Sequence, residues 1–250
     1  MPMPLPPRRV VSLVPSVTET LAVLGAADRV VGCTRWCVRP QPWVRSVPVV
    51  GGTKDPDIDA IAALRPDLIV VNEEENRREH FAVLARLAPL HVAFPRDVDG
   101  ALRDILDLAR VLDVLPAGAA LEARIAAQRV ALRAAARPFR FAYPVWRAPW
   151  RLAGPDTFVS ALLSEAGGVN VAPAGPGRYP PAGPRELADA QPDVVLLPSE
   201  PYDFRAGHVA ELGPLHPRAR LVDGQLLCWH GARLEAGLAY LRGLGLCAAS

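Results

Sequence analysis

The chain has 250 residues, half of them hydrophobic and 22% charged, with a formal net charge of +2. That length builds one large domain or two small ones with real cores, and the near-neutral charge excludes a nucleic-acid or membrane-surface binder. No run is long and apolar enough to span a bilayer, so no membrane insertion is expected.

Arg9–Val14 is a β-branched apolar run and reads as a buried strand, ended by Pro15-Ser16. Ser16-Val-Thr-Glu19 has the spacing of a capping box and predicts a helix over Val17–Leu24, stopped by Gly25. A short strand at Arg29–Gly32 precedes an irregular loop, Thr34–Pro48, carrying Trp36 and Trp43. Further along come a helix over Ile58–Leu64, a strand over Asp67–Asn72 and a helix over Arg77–Leu87. A strand over His91–Phe94 and a helix over Val98–Leu112 complete the first half. Leu115–Pro138 is rich in Ala, Leu, Arg, Glu and Gln, and Pro116 and Pro138 bracket it. It predicts a stiff helical strut roughly 30 Å long. The second half repeats the alternation, with strands over Phe139–Tyr143, Asp193–Leu197 and Ala219–Val222. Its helices are expected over Thr157–Ala166, Arg185–Ala190 and Ala232–Leu244.

Alternating strands and helices predict parallel sheets with crossover helices. An internal echo points to related halves: Leu64-Arg-Pro-Asp-Leu-Ile-Val-Val71 is answered by Ala190-Gln-Pro-Asp-Val-Val-Leu-Leu197. A Pro-Asp turn before a strand is also common in unrelated α/β proteins. The expected architecture is α/β, with two Rossmann-like lobes, each a parallel sheet flanked by helices, joined by one long rigid helix. The lobes span residues 8–114 and 139–250, and the joining helix spans 115–138.

Ligands in such sheets bind beyond the carboxyl ends of strands. The loops so selected hold all five tryptophans, Trp36, Trp43, Trp146, Trp150 and Trp229, together with Tyr202. Rigid aromatic walls suit a wide, flat, largely apolar ligand, although such rings also cap cores. The run Glu73–Glu79 is either a solvated helix start or a charged lining of the same face. Cys33, Cys37, Cys228 and Cys247 form no CxxC pair, and free thiols are expected. Cys33, Cys37, Cys228 and His230 all lie in these loops, which leaves open a metal-binding protein or enzyme using those four donors. GxSxG, GxxxxGK[ST] and HExxH motifs are absent, and no nucleophile is paired with a base. A binding role is therefore favoured over catalysis.

Val11-Ser-Leu-Val-Pro-Ser-Val-Thr-Glu-Thr20, Val49-Val-Gly-Gly-Thr53, the Pro-Asp strands and the central strut together resemble the helical-backbone (class III) substrate-binding proteins of ABC importers. These take up vitamin B12, haem and iron–siderophores, and the cobalamin-binding branch is the most similar. The resemblance implies a corrinoid or related metal chelate held in a cleft between two lobes, with no intrinsic cofactor and no catalysis. It implies Trp36, Tyr179 and Trp229 as aromatic ligand contacts. The words Glu-Asn-Arg-Arg-Glu (Glu75–Glu79), Pro-x-Trp (Pro144–Trp146) and Glu-Pro-Tyr (Glu200–Tyr202) extend the expected contacts to Glu74, Asn76, Trp146, Trp150, Glu200 and Tyr202. Docking to the importer's membrane subunit uses an acid seven residues before each Pro-Asp proline. Those positions are Asp59 and Arg185; the second is reversed in charge, with Glu186 adjacent. The opening MPMPLPPRRVVSLVPS also lacks the features of a secretory signal. A cytoplasmic carrier relative is thus expected, or a periplasmic or cell-surface protein if the N-terminus is truncated.

Overall fold

The computed structural model describes residues 5–173, 177–216 and 218–246. The chain divides into two compact units. The first holds the residues up to Pro95, then Asp99–Arg124 and His230–Arg233; the second holds Arg96–Val98, Ile125–Trp229 and the residues from Leu234 onward.

In the first unit, β1 (Val10–Ser12), α1 (Pro15–Val23), β2 (Val30–Cys33), α2 (Ile58–Ala63), β3 (Leu68–Asn72), α3 (Phe81–Leu84), β4 (Leu90–Ala93) and α4 (Val98–Val111) follow one another. The four strands are parallel, in the order β2-β1-β3-β4. β1 and β3 are buried at every residue, as continuous apolar runs require when helices cover both faces. Val11, Leu13, Ile61, Ile69, Val71 and Leu84 form the core between sheet and helices. On α4, Ala101, Leu102, Ile105, Leu108 and Ala109 are buried at helical spacing.

α5 (Leu115–Ala134) is the long helix read from the sequence, and Leu121, Ile125 and Leu132 are its buried stripe. Gly118 lets it approach α4, because a Cβ there would lie 2.5 Å from the Ala109 Cβ.

The second unit runs β5 (Phe139–Ala142), β6 (Pro144–Trp146), β7 (Arg151–Leu152), α6 (Phe158–Ser164), β8 (Gly168–Asn170), α7 (Pro184–Asp189), β9 (Val194–Pro198), α8 (Ala206–Leu212), β10 (Ala219–Val222), α9 (Gly224–Cys228) and α10 (Arg233–Gly243). Its main sheet is parallel in the order β10-β9-β5-β8, with a separate antiparallel pair β6-β7. The chain is thus built of two parallel-sheet α/β lobes flanked by helices, as expected from the sequence. Among the described residues no helix is long and apolar enough to cross a membrane.

The Pro-Asp echo is reproduced contact by contact. Asp67 accepts the backbone N–H groups of Arg8 and Arg9, each at 2.8 Å, and Asp193 accepts that of Arg140 at 2.6 Å. The Arg9 guanidinium donates to the Leu64 and Arg65 carbonyls at the end of α2. The Arg140 guanidinium donates to the Ala190 and Gln191 carbonyls at the end of α7. Arg65 and Gln191 both take the left-handed conformation, with φ of 46° and 48°. In each unit one arginine at the head of a central strand closes the last turn of the helix that precedes the neighbouring strand, satisfying carbonyls the helix leaves open.

Several local readings are corrected. The capping box at Ser16 does not form: Val14 is the N-cap without a side-chain bond, and Pro15 begins α1. Ser16 and Glu19 are drawn instead into contacts with His230 and Arg233. The helix expected over Arg77–Leu87 shrinks to a 3₁₀ turn and the four residues of α3. β6, β7, β8, α8 and α9 are elements the periodicity did not announce, each seven residues or fewer.

Candidate functional site

In each sheet the chain leaves the first central strand in one direction and later crosses to its other side. The resulting switch points, between β1 and β3 and between β5 and β9, are where open α/β sheets leave room for ligands at their carboxyl ends.

At the first switch point the space is filled by the protein itself. His230 is buried with its Nε2 3.3 Å from Ser16 Oγ and 3.3 Å from Asn72 Nδ2. Asn72 Oδ1 accepts the Glu74 and Glu75 N–H groups at 2.7 and 3.0 Å, so its amide nitrogen is the end that faces the ring. The imidazole Nε2 is therefore an acceptor and the ring is neutral. Burial pushes its pKa down, opposed by the charges of Asp104 and Glu74. Alongside, the Ala232 N–H donates to Thr20 Oγ1 at 2.9 Å, and Arg233 forms a bidentate pair with Glu19. A serine beside a histidine is the contact of a nucleophile and its base, which the separated sequence positions concealed. Ser16 is 1% and His230 5% exposed, so the pair is enclosed, and Asn72 shares the nitrogen that a base would use.

Asn76 closes the loop after β3. Its Oδ1 accepts the Asn72 N–H at 2.7 Å, and its Nδ2 donates to the Leu13 and Thr53 carbonyls at 3.1 and 2.9 Å. The side chain expected to touch ligand is spent on the backbone. Glu74 is half-buried, and its carbonyl accepts from Lys54 Nζ at 2.6 Å. Burial lowers the lysine pKa against the pull of Glu75 and Glu74. Trp36 is 57% exposed on the loop after β2, with the Arg35 guanidinium 5.8 Å from its ring centre and Arg35 paired to Asp55.

At the second switch point stands a row of rings. Trp146, the last residue of β6, meets Tyr202 edge-on with centroids 5.5 Å apart. Tyr202 lies 4.7 Å from Phe204, and Phe204 stacks at 5.7 Å and 22° on Trp150. His208 of α8 sets its ring edge-on to both Tyr202 and Phe204, at 5.6 and 5.4 Å. The row is graded: Phe204 is buried in the unit's core, Trp150 and Tyr202 pack against that core, and Trp146 is 47% exposed. Such a platform offers flat apolar faces with few rotamers to freeze.

A second tie fastens the Glu-Pro-Tyr loop to α9. Glu200 accepts the Trp229 indole N–H, and the Gly224 N–H donates to Ser199 Oγ at 3.0 Å. A Cβ on Gly224 would lie 2.7 Å from both the nitrogen and the oxygen of Glu200. Trp229 itself is buried, so its ring is a brace. Tyr143 is buried beneath, its hydroxyl 3.1 Å from Cys228 Sγ, and burial first, then Cys228, keeps it far from ionising. Tyr179 is half-buried on the segment that bridges to Arg151, where its carbonyl accepts from the Arg151 guanidinium at 3.0 Å.

The structure thus joins Trp146, Trp150 and Tyr202, and separately Glu200 with Trp229. It adds Phe204 and His208, which the sequence reading did not single out as site residues. The alternation Tyr202-x-Phe204, with His208 one helical turn on, was the available signal. Among the described residues no group of three or more His, Cys, Asp or Glu side chains comes together to hold a metal, so Cys33, Cys37, Cys228 and His230 do not converge. His230 is instead engaged by Ser16 and Asn72, and Cys228 faces Tyr143. Cys247 lies outside the described residues. Asp59 and Arg185 are both second residues of six-residue helices, α2 and α7, and both are exposed with Glu186.

Two switch-point sites, one self-filled and one aromatic, on paired parallel-sheet lobes define a binding-protein architecture. The chain belongs to the periplasmic binding protein family, whose model matches residues 10–209. A cobalamin-binding protein of Halobacterium salinarum is 28% identical over 199 residues, covering 76% of this chain and 53% of the relative. The chain therefore spans about half the length of the curated relatives it matches. Among solved structures, the periplasmic vitamin B12 binding protein BtuF of Vibrio cholerae superposes with a TM-score of 0.82 at 20% identity, covering 96% of this chain and 97% of the other. The periplasmic heme-binding protein RhuT from Roseiflexus sp. RS-1 gives 0.79 at 25% identity, covering 94% and 96%.

Proposed function

We propose that this protein binds a corrinoid, or a related planar metal chelate, without transforming it, as the substrate-binding component of ABC-type uptake or as a carrier derived from one. The observation that carries the reading is the Trp146–Tyr202–Phe204–Trp150 row at the carboxyl end of the second sheet. Its outer end is the half-exposed Trp146 indole, a ring of the kind a flat macrocycle stacks on. Family membership and relatives named for cobalamin and heme binding support it. On the first unit, Trp36 exposes an indole of its own, and Glu200 on the second unit and the half-buried Glu74 and Tyr179 are polar candidates. Asp59 and Glu186, in the first turns of α2 and α7, are the acids that would meet arginines of a membrane subunit.

Titration with cobalamin and with haem, followed by absorbance and by thermal shift, tests the reading. A ligand at a hundredfold excess over its Kd should raise stability by about 2.7 kcal/mol. Tyr202→Ala should weaken binding roughly ten- to hundredfold, as loss of a central aromatic anchor does. Absence of any response to tetrapyrroles, or full affinity in Tyr202→Ala, would refute it.

A further inference from the structure

A cavity of about 360 Å³ opens among the end of α7, the start of β9 and the turn from α8 to β10, all within the second unit. The Glu-Pro-Tyr loop leaves the other end of β9, so roughly 15 Å of strand separates this cavity from the ring row. Its volume is in the range of small-molecule sites. The Pro-Asp echo is unequal here. Asp67 spends both carboxylate oxygens on strand N–H groups, those of Arg8 and Arg9. Asp193 spends Oδ2 on the Arg140 N–H, whereas the Phe139 N–H, in the place of that of Arg8, donates to the Gly167 carbonyl at 3.3 Å. Asp193 lines the cavity, and its Oδ1 is left to accept from another donor. His216, also in the lining, is 5% exposed. Its Nε2 bonds the Pro184 carbonyl at 3.1 Å, so that nitrogen is the donor and the neutral ring keeps its lone pair on Nδ1. Two such acceptors are costly to enclose unless a donor meets them. Ala188 and Val195 supply apolar wall, and Leu215 and Arg218, both exposed, form the rim.

We propose that this cavity binds a small zwitterion with an apolar body, an α-amino acid of the phenylalanine type. The ammonium group donates to Asp193 Oδ1 and His216 Nδ1, the carboxylate meets the Arg218 guanidinium, and the side chain lies against Ala188, Val195 and Leu215. The carboxylate charge of Asp193 favours a cationic donor over a neutral one. A bare metal ion is disfavoured, since among the described residues no group of three or more His, Cys, Asp or Glu gathers to hold one, and Arg218 adds a like charge. The site does not rest on the chelate reading, because it shares no residue with the ring row.

Calorimetric titration of the full chain with L-phenylalanine, phenethylamine and 3-phenylpropanoate tests it, since the second probe lacks the carboxylate and the third the ammonium group. Phenylalanine should bind saturably at one site, phenethylamine more weakly, and phenylpropanoate not at all. Asp193→Asn, which keeps an acceptor oxygen for the Arg140 N–H, should weaken phenylalanine at least tenfold, and Arg218→Ala should bring it down to the affinity of phenethylamine. Leu215→Trp, at an exposed position, should block the cavity while leaving the circular dichroism spectrum and any response to cobalamin or haem as in wild type. No saturable binding of phenylalanine, binding of phenylpropanoate as tight as that of phenylalanine, or undiminished binding in both Asp193→Asn and Leu215→Trp would overturn the proposal, whatever the outcome with chelates.

Discussion

Acidification should weaken the fold through His230, by an amount its surroundings set. The ring is buried, and its Nε2 faces the Asn72 amide nitrogen at 3.3 Å, so a proton there would oppose a donor. The folded-state pKa is depressed below 6.5. In the unfolded chain the same imidazole takes up a proton below about pH 6.5, so that state alone is stabilised by acid. The contribution of His230 is thus fully present above pH 6.5 and is lost as pH falls, at about 1.4 kcal/mol per pH unit until the folded pKa is reached. Between about pH 7.5 and 5.5 the loss is bounded at roughly 1.4 kcal/mol, the full weight of a proton taken up by the unfolded chain alone. Urea unfolding at several pH values reads it as the difference between wild type and His230→Gln, in which carboxylate titrations common to both cancel. Asn72→Asp provides the converse: a carboxylate beside Nε2 favours imidazolium and raises the folded pKa. That variant's histidine term should be present below the unfolded pKa and vanish as pH rises through the folded one. Equal pH slopes in wild type and His230→Gln would refute the neutral, acceptor assignment of the ring.

Asp67→Ala and Asp193→Ala should each cost about 1–2 kcal/mol in thermal or urea unfolding, from lost hydrogen bonds to strand N–H groups, and the double variant should be close to additive. Gly224→Ala should destabilise by more than about 2 kcal/mol and weaken chelate binding, because the methyl group meets Glu200 backbone atoms at 2.7 Å. Glu165 is held by Arg129 and Arg133, whose hydrogen bonds outweigh burial and keep its carboxyl below the ordinary value. Glu165→Gln should cost roughly 3 kcal/mol near neutral pH by removing the carboxylate charge that faces the mostly buried Arg129, with a smaller penalty in acid, where wild-type Glu165 is itself protonated.

What the sequence disclosed and what it hid separate along physical lines. Long apolar runs and the stripe on Leu121, Ile125 and Leu132 report burial directly, so the sheets and the long helix were legible. The Pro-Asp echo was legible as words, although its meaning, an arginine at a strand head closing a helix end, needed coordinates. Ser16 and Glu19 misled because tertiary partners 214 residues away outcompete a local cap. Gly224–Cys228 is a single short turn of helix, too brief for its period to register in the sequence. Tryptophan position was a mixed guide: Trp146 and Trp36 are exposed, whereas Trp229 is a buried brace.

The return of His230–Arg233 to the first unit has a bearing on biosynthesis. Ser16, Thr20 and Glu19 await partners that leave the ribosome only after nearly the whole chain has been made. At about 5–20 residues per second, that delay is on the order of ten seconds or more. The amino-terminal sheet emerges first, yet its switch point is filled only after residue 230 has been made, so nascent chains halted earlier carry an unfinished switch point exposed to chaperones and proteases.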